Sequence, residues 1–80
     1  MDGYTFEASV DGVRVAFRIS GATILKWRHG IAPEGNMQPV KDTARRLGRA
    51  HLRVHGAKPG EAWIIRFTGQ KVECRKAPAP

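Results

Sequence analysis

Residues 43–56 read TARRLGRAHLRVHG, and the chemistry they offer is cationic. Arg45, Arg46, Arg49 and Arg53 carry planar guanidinium groups. These suit phosphate or carboxylate, because two parallel N–H groups meet two oxygens. Wound as a helix at about 100° per residue, the segment places Val40, Ala44, Leu47, His51 and Val54 on one stripe. The arginines fall on the opposite side. Arg45 with Arg49, and Arg49 with Arg53, are four residues apart, where like charges repel by about a few tenths of a kcal/mol. Asp42 offsets part of this. Such a side is either a solvated helix face or a ridge for a polyanion. Arg14, Arg18, Lys26 and Arg28 complete the candidate partner- or nucleic-acid-binding set.

The remaining reactive types form no familiar machinery. His51 and His55 have the i, i+4 spacing of two metal ligands on a helix, but a zinc site takes three or four. His29 and Cys74 join such a site only by an accident of folding. Cys74 paired with a histidine is the one nucleophile–base combination. It falls on the inward side of a strand, where a cysteine behaves as a small apolar group. The sequence holds no glycine-rich phosphate loop and no close carboxylate pair. It therefore predicts no catalytic residue, no metal, no cofactor and no enzymatic activity. Stacking of single-stranded bases requires rings beside cations. Trp27, between Lys26 and Arg28, is the ring with that neighbourhood.

Eighty residues make one domain at most, with a core limited by burial of roughly 60% of the unfolded surface. Hydrophobic content of 41% and charged content of 26% are those of a folded domain. The net charge is +7, from 14 Lys and Arg against 7 Asp and Glu. That sign favours a polyanion as partner: nucleic acid, an acidic face of a protein or nucleoprotein complex, or anionic lipid. A lone cysteine permits no intrachain disulfide. No apolar run approaches the ~18 residues of a spanning helix, and the first ten residues lack a signal-peptide pattern. A cytoplasmic protein with no membrane association is expected.

The elements that position these residues are legible from pattern. Asp11-Gly12 is a two-residue turn signal. Pairing across it sets Val10 opposite Val13, Ala8 opposite Val15, Phe6 opposite Phe17 and Tyr4 opposite Ile19, all apolar and all on one face. Ser20 stands as N-cap before GATILKWRH, where Ile24, Leu25 and Trp27 supply an apolar side and Gly30 a stop. IAPEGNMQ reads as a loop around Pro33 and Gly35. Pro39 suits the first turn of a second helix, and Gly56 ends it. Gly48 inside that helix costs about 1 kcal/mol relative to Ala and permits close packing against a neighbour. In EAWIIRFTGQKVECR, a turn at Gly69-Gln70 pairs Phe67 with Val72, Ile65 with Cys74 and Arg66 with Glu73.

The order β-β-α-α-β-β predicts an α+β fold of two layers. An antiparallel sheet from two β-hairpins is covered on one face by two helices, with residues 1–75 as the domain and 76–80 as a flexible tail. The runs YTFEASVDG, VRVAFRISGATILKW, VKDTARRLGRAHLRVHG and GEAWIIRFTG resemble a small bacterial domain-of-unknown-function family. That family has a hairpin, a strand ending in an Ile-Ser step before a helix, a longer helix and a closing β segment. The resemblance implies the fold but no activity and no site residues. The basic charge and the Pro/Gly-rich central loop depart from its pattern. In style the chain is also similar to phage-encoded inhibitors of bacterial defence, such as anti-CRISPR proteins. The expected function is non-enzymatic binding of a nucleic acid or nucleoprotein complex through the arginine-rich helix. The alternative is an inhibitor or adaptor that binds a protein partner.

Overall fold

Asp11 and Gly12 adopt φ of 51° and 82°, the left-handed pair that matches strand twist in a two-residue hairpin turn. They join strands β1 (Tyr4–Val10) and β2 (Val13–Ile19) of a computed structural model that describes residues 3–28 and 36–78. The register is the expected one throughout: Val10↔Val13, Ala8↔Val15, Phe6↔Phe17 and Tyr4↔Ile19. The second hairpin, β3 (Ala62–Thr68) and β4 (Lys71–Lys76), likewise pairs Phe67 with Val72, Ile65 with Cys74 and Arg66 with Glu73. β4 takes in Lys76, the first residue of the expected tail, which lies opposite Trp63, and the Ala77 N–H donates to the Ala62 carbonyl at 2.8 Å.

The two hairpins form one four-stranded sheet in the order β1-β2-β3-β4. Each hairpin is antiparallel, but they join along a parallel seam that sets Val15 beside Trp63, Phe17 beside Ile65 and Ile19 beside Phe67. The sheet is therefore mixed. The connection between β2 and β3, residues 20–61, carries both helices and is long enough for the crossover that parallel neighbours require.

Helices α1 (Gly21–Arg28) and α2 (Gln38–Val54) cover one face. Ser20 caps α1 as expected, its Oγ accepting the Thr23 N–H at 3.2 Å. Thr23 is buried, and its hydroxyl accepts the Gly69 N–H at 3.0 Å, tying α1 to the β3–β4 turn. Pro39 lies in the first turn of α2. The core joins Val13, Val15, Phe17 and Ile19 of β2 and Trp63, Ile65 and Phe67 of β3 with Ile24 of α1 and α2's inner side.

Two side assignments differ from expectation. The buried positions of α2 are Val40, Ala44, Gly48 and Leu52, so the stripe is rotated towards Gly48. Leu47 and His51 lie half-buried at its margin, and Val54 is 83% exposed. The cause is Gly48. With no side chain there, the helix backbone approaches until an added Cβ would stand 2.8 Å from Phe17 Cε1 and 3.2 Å from Ile65 Cδ1. On α1, Ile24 is buried but Leu25 is 57% exposed. The expected stop at Gly30, the loop signals Pro33 and Gly35, and His29 lie outside the described residues.

Candidate functional site

The arginine side of α2 is a consequence of its other side. Anchoring at Val40, Ala44, Gly48 and Leu52 turns Arg45, Arg46, Arg49 and Arg53 outward, and all four are exposed. Arg49 is also a fastener. Its Nε donates to Asp11 Oδ2 at 3.1 Å, which ties the helix to the β1–β2 turn. Both partners are largely solvated, so the pair contributes little to stability. Asp42, the expected counter-charge of Arg45 and Arg46, instead accepts a hydrogen bond from Gln38 Nε2 at 2.8 Å. Lys41 turns away from the ridge and stands over the Tyr4 and Phe6 rings, 6.0 and 5.8 Å from their centroids.

The expected binding residues do not form one surface. Lys26 and Arg28 lie in the last turn of α1, Lys26 exposed and Arg28 half-buried. Trp27 between them is no stacking platform. It meets Phe67 edge-on, with ring centroids 4.9 Å apart, and belongs to the margin of the core. Arg14 and Arg18 stand on the other layer. They alternate away from Val13, Val15, Phe17 and Ile19, so they project from the sheet face that faces away from the helices. Arg66, Lys71 and Arg75 share that face and are exposed. The sequence signal for these three was the alternation of the second hairpin. Which strands they would neighbour depended on the parallel seam.

Along the seam Arg18 is directly opposite Arg66. Glu73 faces Arg66 in register, yet the ion pairs among the described residues are Arg49–Asp11 and Lys76–Glu61. A shallow depression over the seam is lined by Arg18 and Arg66 among other polar residues, and also by Tyr4, Ile19 and Phe67.

The strongest local electrostatic knot is structural. Glu61 accepts hydrogen bonds from the Lys58 N–H at 2.8 Å and Trp63 Nε1 at 3.1 Å, and pairs with Lys76 Nζ at 2.9 Å. These contacts, led by the one with Lys76, hold its carboxyl at a pKa of about 2, below the ordinary 4.5. It fixes the entry of β3. Burial pushes the Cys74 thiol above its ordinary value, which disfavours the nucleophilic thiolate. His55 lies against the Trp63 ring at 5.9 Å. Among the described residues no three of His, Cys, Asp and Glu gather as a metal-binding group, and no helix is long and apolar enough to cross a membrane.

Compared with known proteins, the chain matches no family model, no curated protein and no solved structure.

Proposed function

We propose that this chain is a small non-enzymatic binding protein that engages a nucleic acid or nucleoprotein complex through the arginine side of α2. The observation that carries the reading is the exposure of Arg45, Arg46, Arg49 and Arg53 on one side of a helix whose other side is locked to the sheet at Gly48. The seated helix fixes the spacing of the four side chains, and the planar guanidinium fork loses less freedom per hydrogen bond to phosphate than a lysine would. The contacts it makes are to backbone phosphates, so affinity is governed by counterion release rather than base sequence.

Fluorescence anisotropy with a labelled duplex, titrated across salt concentrations, tests this. Four phosphate contacts give a log–log salt slope of about −3.6. If Arg49 stays with Asp11, three contacts give about −2.7. Arg45→Gln, Arg46→Gln and Arg53→Gln together remove most of that slope and leave the unfolding midpoint unchanged, because all three side chains are exposed. Absence of binding to DNA and RNA at about 20 µM protein and low salt, where weak non-specific association is measurable, refutes the reading. The alternative, an inhibitor or adaptor that binds a protein partner through the same ridge or a hydrophobic surface, then takes its place.

A further inference from the structure

We infer that the outward sheet face is a second duplex-binding surface, and that the protein bridges two separate duplex segments. This rests on the reading of α2 above.

Three observations carry it. The first is charge. On this face Arg14, Arg18, Arg66, Lys71 and Arg75 stand against two acidic residues, Glu7 and Glu73, and all seven are exposed. Arg18 opposite Arg66 is a like-charge pair across neighbouring strands, an arrangement that weakens a sheet. An anion seated between the two guanidinium groups reverses the sign of that interaction, and the depression over the seam lies beside both.

The second is the absence of rings. Tyr4, Phe6, Phe17, Trp63 and Phe67 all alternate towards the helices, and Trp27 packs on Phe67 from the helix layer. Bases of a single strand find no aromatic platform across the sheet, whereas a duplex presents its phosphates without requiring stacking. Ala16 and Ile64 at the centre are half-buried and keep the surface low, as a stiff partner needs.

The third is placement. The arginines of α2 and those of the sheet project from opposite layers of a body with principal extents of 36, 23 and 19 Å. Duplex DNA has a persistence length of about 150 bp, so a segment of about 30 bp does not fold around such a body. One short duplex therefore occupies one face, and filling both takes two.

The test uses the full chain, a bead-tethered duplex of about 30 bp and a second, fluorescent duplex of the same length, short enough to remain straight. Wild-type protein is expected to retain the fluorescent duplex on the beads. The triple variant Arg18→Gln, Arg66→Gln, Arg75→Gln is expected to bind a single duplex in solution within about twofold of wild type, the statistical share of one face in two. It is expected to retain no second duplex. Retention by this variant equal to wild type overturns the inference. So does wild-type binding of single duplexes with no retention, an outcome that leaves the reading of α2 standing. Failure of wild type to bind any duplex overturns this inference, and failure to bind single-stranded DNA and RNA as well removes the reading of α2 with it. Sedimentation at the assay concentration closes the remaining route: a DNA-free dimer that is lost in the triple variant overturns the inference, because two copies of α2 would then do the bridging.

Discussion

Gly48→Ala reads out the contact that seats α2. In a solvated helix the change stabilises by about 1 kcal/mol through backbone entropy. Here the new methyl carbon would stand 2.8 Å from Phe17 Cε1, 3.1 Å from Phe17 Cζ and 3.2 Å from Ile65 Cδ1. The nearest atoms belong to a ring, not to the free end of a flexible chain. That ring is fully buried and stacks on Phe6 at a centroid distance of 4.9 Å, so it has no room to retreat. Forcing a methyl into a packed core costs about 1–3 kcal/mol. Taking ~2 for the strain and ~1 for the helix gain, the net effect is a loss of about 1 kcal/mol. For a domain of this size that lowers Tm by about 4–8 °C. Gly48→Val forgoes most of the helix gain and inserts more bulk, and costs roughly 3 kcal/mol. Denaturant unfolding followed through Trp27 and Trp63 fluorescence measures both. If Gly48→Ala unfolds at or above the wild-type midpoint, α2 does not sit on the sheet as described.

Two further outcomes follow from packing and charge. Leu52→Ala, at 4% exposure, is expected to cost about 2–5 kcal/mol; Leu47→Ala, at the margin, less than about 2, and the reverse order in chemical denaturation would restore the stripe centred on Leu47. Glu61 has a folded pKa of about 2 against an ordinary 4.5, so its stabilising contribution is complete above about pH 4.5 and fades as pH falls towards 2; Glu61→Gln should flatten the Tm-against-pH curve in that window, and an unchanged curve would show that the contacts with Lys58, Trp63 and Lys76 are not made in solution.

Local pattern reached as far as local forces do. Asp11-Gly12 specified the first hairpin because a slip of one residue would turn Val10, Val13, Val15 and Phe17 into water. Ser20 and Pro39 marked helix starts because their chemistry answers unpaired N–H groups within one turn. The rotation of α2 was not legible. Apolar periodicity weighs side chains, and the residue that fixed the rotation has none. The parallel seam joins strands distant in sequence, and nothing local to β2 or β3 encodes their relative direction. The same gap hid the second cationic surface: Arg18 and Arg66 each alternate with the apolar positions of their own hairpin, but their adjacency exists only through the seam.

That seam also divides the folding process by timescale. Each hairpin has its partner a few residues away and forms on about the microsecond scale, yet a lone two-stranded hairpin is marginal in water. The β2–β3 pairing must instead close residues 20–61 into a loop, a cost in chain entropy met before any contact rewards it. Lasting order in either hairpin therefore depends on the seam and on the packing of α2. The place where all three meet is Phe17, Gly48 and Ile65. Bulk added at that junction is expected to slow refolding in stopped-flow measurements as well as to lower the unfolding midpoint; an unchanged refolding rate would place the closure after the rate-limiting step.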